Sequence, residues 1–342
     1  MRNLVDSYMK KRNQGLIMAA AVTAVLLYLT LSHVKPADIV YTLKSTDPLY
    51  LVISFFIYVC CNIFRAMRFY VLLDKRIKIH SLFNIVCVYN MVNNMAPMRA
   101  GEISYVYMLK RLHNKNAAIG VSTLIVARIL DFIAICSLFT ASSWIAAERI
   151  EGLRSAAIMV SLLIIACFLL LIMLLRCREC LLYPLDCYLD KNGLDKDPRI
   201  EYIILKLREM IRAMESMRDT KMTVLALIIS FFIWIANFSV VFLVVKGMNF
   251  DIPLHIVIMG STSTVLSTLL PVYGIAGLGT SQGLWTLVFV PLGISLNDAI
   301  ISAFGYYIIQ MIFYLTLGVY GLISLKIVKS VQQNSFAFRR CQ

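Results

Sequence analysis

Four charged side chains fall inside otherwise apolar stretches of this chain: Arg99, Glu102, Arg128 and Asp131. Each costs about 2.5–3.5 kcal/mol at the centre of a hydrocarbon layer, so such residues face a protein interior or a wet cavity, where they pair or bind something. Their chemistry is that of an anion site. Two guanidinium forks can hold a phosphate through parallel N–H···O bonds, and two carboxylates can hold the forks in place while the site is empty. Arg128 and Asp131 stand three residues apart on one helix, so they can pair or share one cavity wall. Arg99 and Glu102 belong to the turn Asn93-Asn94-Met95-Ala96-Pro97-Met98-Arg99-Ala100-Gly101-Glu102. Backbone amides at Gly101, and at Gly277 and Gly279 in a second Gly-rich turn, could add donors where helices break. The structural alternative is two Arg–carboxylate pairs that only lock the turn against a neighbouring helix.

Composition says what must position these residues. The 342-residue chain is 60% hydrophobic and 15% charged, against about 45–50% and about 25% in soluble domains. A soluble fold could not bury that surplus, so lipid solvates much of the chain. The formal charge of +14 raises nucleic acid as a partner. No extended basic stretch is interleaved with base-stacking aromatics, however, so no nucleic-acid partner is expected. The nine Cys are scattered, several in apolar runs, where they behave as small buried hydrophobes and not as a disulfide framework.

Apolar runs lie at 16–31, 49–73, 81–97, 117–147, 153–175, 222–245, 253–271, 284–292 and 299–328. The first follows Lys10-Lys11-Arg12 with no small-x-small cleavage site behind it, so it reads as an uncleaved span. Residues 1–14, 65–80, 110–116, 176–221 and the tail from Lys326 hold 26 of the 33 Lys and Arg. Lys and Arg mark the cytoplasmic side, which puts both termini there. Segments 65–80 and 110–116 then share one side, although an apolar run separates them. The return leg, 98–109, is about 18 Å long as helix, too short to cross. Residues 81–110 are therefore expected to form a re-entrant hairpin. By the same reasoning 253–293 form a second hairpin entering from the opposite face, with its tip at 271–283, where four Gly and one Pro cannot sustain a helix.

The expected fold is thus an all-α polytopic membrane protein. It has about six full transmembrane helices and two oppositely oriented re-entrant hairpins in an inverted repeat. The chain forms one membrane domain, 1–342, with repeats at about 15–147 and 153–328. Pro97 lies 24 residues past Leu73, and Pro271 lies 26 past Val245. Inverted repeats with broken helices at matching positions are an architecture of secondary transporters. The connection 176–221 carries Ile200, Ile203, Leu207, Ile211 and Met214 on one helical face, which suits either a cytoplasmic interfacial helix or a solvated loop helix. Cys177 and Cys180, with Cys187 beyond, lack a second pair or a nearby His to complete a tetrahedral site. Asp195-Lys196-Asp197 mimics the Asp-x-Asp of sugar-nucleotide transferases but sits in a charged loop. The four His residues lie singly near the expected interfaces. No metal and no cofactor are expected.

The motif Asn94-x-x-Pro97-x-Arg99-x-Gly101-Glu102, followed by Ala127-Arg128-Ile129-Leu130-Asp131, resembles the lysylphosphatidylglycerol synthase transmembrane region family. This is also called the flippase-like domain family and includes the membrane half of the multiple peptide resistance factor. Pro271-x-x-Gly274-x-x-Gly277-Leu278-Gly279 resembles the family's Gly-rich C-terminal motif, and Arg68 before Phe69 stands where the family commonly has an Arg followed by an aromatic. The resemblance runs from about residue 10 to 328. The chain departs from the pattern at Tyr105, where relatives carry Arg, and at Ala127 and Gln282, where they often carry Glu.

The resemblance implies translocation of anionic or aminoacylated lipids across the cytoplasmic membrane of a bacterium or archaeon. The expected function is a lipid flippase-type transporter, not an enzyme, for a phospholipid derivative or a polyprenyl-phosphate-linked glycan. The alternatives are a membrane-embedded lipid or polyprenyl-phosphate transferase and a non-catalytic partner in envelope assembly. The soluble aminoacyltransferase domain of some relatives is expected to be absent, because the chain ends about 14 residues past the last span. The expected substrate-binding set is Arg68, Asn94, Arg99, Gly101, Glu102, Arg128, Asp131, Gly277, Gly279 and Gln282. Expected partners are a membrane lipid, with a second copy of the chain or envelope-biosynthesis proteins left open.

Overall fold

The computed structural model describes residues 32, 34–95, 100–146, 153–176, 205, 208–210, 219–267 and 277–339. The apolar run 16–31, the turn tips around Pro97 and Pro271, and most of the connection 176–221 lie outside them. Among the described residues the regular elements are α-helices: α1 Pro36–Lys44, α2 Pro48–Leu72, α3 Ile79–Met95, α4 Ala100–His113, α5 Ala117–Ala146, α6 Leu153–Arg176, α7 Thr220–Gly247, α8 Leu254–Ser267, α9 Thr280–Phe289 and α10 Leu296–Arg339.

Local chemistry sets their ends. Pro48 opens α2 at a position where a missing N–H costs nothing, and Asp47 Oδ1 accepts the Leu49 amide at 2.8 Å. Asp74 and Lys75, with φ of 58° and 57°, then turn the chain out of the helix. Asn116 Oδ1 and Asp219 Oδ1 accept the Ala118 and Lys221 amides in the first turns of α5 and α7. Ser295 Oγ caps α10 by accepting the Asp298 amide at 3.2 Å, and its hydroxyl donates to Asp298 Oδ2 at 2.7 Å.

Stretches of α2, α5, α7 and α10 are long and apolar enough to cross a membrane: Pro48–Leu72, Ala117–Ile145, Thr220–Gly247 and Leu296–Ile327. They coincide with the predicted runs 49–73, 117–147, 222–245 and 299–328, although α10 continues as helix to Arg339. α6 coincides with the run 153–175. It leaves Ile158, Met159, Leu162, Ile165 and Leu169 exposed, an outward face that suits lipid.

The chain divides into two compact units. The described part of the first draws on Met1–Tyr58, Asn90–Gly101 and Asn237–Leu317, and that of the second on Val59–Tyr89, Glu102–Ala236 and Gly318–Gln342. In the second unit Ser81 Oγ and His113 Nε2 lie 2.8 Å apart, and the Tyr89 and Tyr105 rings are 6.0 Å apart. The start of α3 thus meets the end of α4, so the two helices run antiparallel. In the first unit Gly101 packs on Asn93 so closely that a Cβ on it would lie 2.4 Å from Asn93 Cβ and 2.6 Å from its Cα and N. Only Gly fits there.

α8 and α9, also in the first unit, pack through Gly260 against the Phe289 ring. Trp285 stacks on Phe289 at 4.3 Å and on Tyr306 at 5.5 Å, and its Nε1 donates to Ser302 Oγ at 3.2 Å. Helices α3, α4, α8 and α9 have 17, 14, 14 and 10 residues, each short of the roughly 20 that a crossing needs.

Candidate functional site

Two Arg–carboxylate pairs occupy the second unit, and they differ in exposure. The first joins α2 to α5. Arg68 Nη1 and Nη2 meet Asp131 Oδ1 and Oδ2, the latter at 3.1 Å, a fork on a carboxylate. From α7, Trp234 Nε1 donates to Asp131 Oδ1 at 2.8 Å, and Ser230 Oγ accepts from Arg68 Nη1 at 3.0 Å while donating to Ala226 O. The side chains of Arg68 and Asp131 are 4% and 12% exposed, so the pair is enclosed. One carboxylate therefore ties three spanning helices together.

The second pair joins α4 to α5. Arg128 Nη2 donates to Glu102 Oε1 at 2.9 Å and to Tyr89 Oη of α3 at 2.8 Å. These side chains are 41% and 39% exposed, so a ligand can reach them. Arg128 and Glu102 line a groove of about 570 Å3 between α4 and α5, otherwise walled by Ile103, Val106, Tyr107, Val121, Leu124, Ile125 and Ile129. The α5 contributors recur at i, i+3, i+4, i+7 and i+8, one face of the helix. The groove is thus apolar along its walls, with one ion pair set into it.

The pairing departs from what the three-residue spacing of Arg128 and Asp131 suggests. Asp131 binds Arg68, 63 residues away, and Arg128 binds Glu102. Residues three apart on a helix lie at different azimuths, and here α2 takes one charge while α4 takes the other. Arg68 was also counted with the cytoplasmic cluster 65–80; it stands inside α2, buried. Tyr105, the departure from the family's Arg, is fully buried, shares a 3.2 Å hydrogen bond with Thr123 and packs on Phe69 at 4.6 Å.

The remaining predicted residues fall as follows. Asn94 Nδ2 donates to Asn90 O at 2.8 Å, a bond within its own helix. Gly101 is taken up by helix packing. Arg99 lies outside the described residues. In the first unit Gly277 and Gly279 adopt φ of 74° and 78°, a backbone conformation that favours Gly. Gln282, 1% exposed, accepts the Gly279 amide at 2.8 Å through Oε1, which caps α9, and its Nε2 has no partner among the described residues. Ser230, Trp234 and Tyr89 were not foreseen. Their signal was present, since each is a hydrogen-bonding side chain inside a spanning or hairpin run.

Comparison with curated proteins gives no match. The family model of the lysylphosphatidylglycerol synthase TM region matches residues 16–318, which takes in α1 to α9, the first half of α10 and both ion pairs described above. The chain is a multi-pass membrane protein that belongs to the lysylphosphatidylglycerol synthase TM region family.

Proposed function

We propose that this protein is a flippase-type transporter that carries a phosphate-bearing lipid across the cytoplasmic membrane. In this reading Arg128 is the phosphate ligand and Glu102 is the counter-ion that holds it between turnovers. The observation that carries the reading is the half-exposed Arg128–Glu102 pair in the wall of an apolar groove. A lipid phosphate offers the same two-oxygen acceptor as the Glu102 carboxylate, so it can take that place without leaving a cation unpaired. The family's name, which refers to a synthase of a phosphate-bearing lipid, supports the same substrate class. The helix pairs α3–α4 and α8–α9, each made of helices too short to cross, support re-entrant hairpins, and the Lys and Arg pattern of the sequence argues for their entry from opposite faces.

The test is flipping of fluorescent phosphatidylglycerol in proteoliposomes, read by quenching from outside. Wild-type protein should flip it and folded Arg128→Gln should not. Equal flipping by the two proteins would remove Arg128 from the path. Release of product from a labelled aminoacyl or sugar-nucleotide donor, with no flipping, would favour a transferase.

A further inference from the structure

We infer that the α4–α5 groove seats one hydrocarbon chain of the transported lipid while Arg128 holds its phosphate. This inference rests on the Arg128 reading and adds the part of the substrate that the groove recognises. Apart from the ion pair its walls are Ile103, Val106 and Tyr107 of α4 and Val121, Leu124, Ile125 and Ile129 of α5. Tyr107 Oη, which already accepts from Arg111, is the one side-chain polar group among these seven, so a sugar or peptide along the groove would lose most of its hydration with little in return. A methylene chain there gains free energy relative to water with each CH₂ buried. Against bilayer lipid that gain vanishes, so apolar contact alone selects no occupant.

Selection comes from charge. The groove has a cation set in it, half exposed and paired to a carboxylate on the opposite wall. An uncharged lipid has no group for Arg128, whereas an anionic lipid places phosphate on Arg128 with its chain beside it. The groove runs from residue 121 to 129 on α5, about 12 Å of helix. It therefore takes up part of an oleoyl chain, whereas a hexanoyl chain fills it only partly and depends less on it.

The experiment measures binding of dioleoyl and dihexanoyl phosphatidylglycerol to purified protein in detergent. Ile125→Trp fills the groove, Arg128→Gln removes the cation, and Val121→Trp fills the groove from the next turn of α5. Binding is compared among proteins that melt as wild type does. The groove-filling variants should lose at least tenfold in affinity for the dioleoyl lipid and less than threefold for the dihexanoyl lipid. Arg128→Gln should lose both.

Wild-type dioleoyl affinity in a folded groove-filling variant would overturn the chain seat and leave Arg128 standing, as would equal loss of both lipids. Unchanged binding by Arg128→Gln would take down the phosphate reading itself. A second measurement needs no variant: wild-type protein is photolysed with phosphatidylglycerol carrying a diazirine in mid-chain. Adducts on Ile103, Val106 or Ile125 are expected, and adducts found only elsewhere would overturn the inference.

Discussion

Arg68 on α2 and Asp131 on α5 form a fork-on-carboxylate pair that is almost fully enclosed, and Trp234 and Ser230 of α7 complete it. A buried pair of this kind is costly to break and cheap to replace whole, because removing one partner strands a charge. Arg68→Leu or Asp131→Leu should each lower stability by about 3–5 kcal/mol, and the double Leu variant should recover most of it. Reversible unfolding in mixed micelles measures the three values. Additive losses in the double variant would contradict the assignment.

Trp234→Phe removes one hydrogen bond to a charged acceptor together with part of the ring, and the lost volume is common to both backgrounds. Such a bond contributes about 1.5–3 kcal/mol, so the variant should melt lower than wild type, while in the Leu/Leu background the same substitution should cost less by about that amount. A double-mutant cycle reads the coupling.

Much of this frame was legible in the residues, for identifiable reasons. The runs of α2, α5, α7 and α10 are long and uninterrupted, so their hydropathy alone marks them. Pro97 marks the break between α3 and α4 because a ring without an N–H stops a helix. What could not be read was which carboxylate meets which Arg. Asp131 has Arg128 one turn away, whereas its true partner is 63 residues distant, and local spacing does not see contacts between helices. Arg68 was counted in the basic segment 65–80, although the resemblance named it among the binding residues; its burial inside α2 takes it out of that segment.

Gly101 faces the backbone of Asn93 with no room for a Cβ. Gly101→Leu must push α3 and α4 apart, and overpacking of this kind typically costs about 1–3 kcal/mol. A lowered melting temperature with reduced yield of folded protein is expected. Wild-type melting would show that the two helices do not pack as described.

Gln282 supplies the acceptor for the buried Gly279 amide at the start of α9. Gln282→Met removes it and leaves a buried donor unsatisfied, at a cost of about 1–3 kcal/mol. Gln282→Glu keeps an acceptor at the same place and should retain the cap. Hydrogen exchange across residues 280–289 reports it: faster exchange in the Met variant, near wild-type exchange in the Glu variant.

The most direct test of the account separates the two pairs by their effect on transport. Flipping of phosphatidylglycerol in proteoliposomes is measured for wild type, Arg128→Gln and the Arg68→Leu/Asp131→Leu double variant, each normalised to folded protein. If the enclosed pair only holds helices together and the half-exposed pair meets the lipid, the double variant should flip within about threefold of wild type. Arg128→Gln should then lose about tenfold or more, the loss of about 1.4 kcal/mol or more expected when a charged hydrogen bond to the substrate is removed. Flipping by Arg128→Gln at the wild-type rate, together with loss in a folded double variant, would contradict the division of roles.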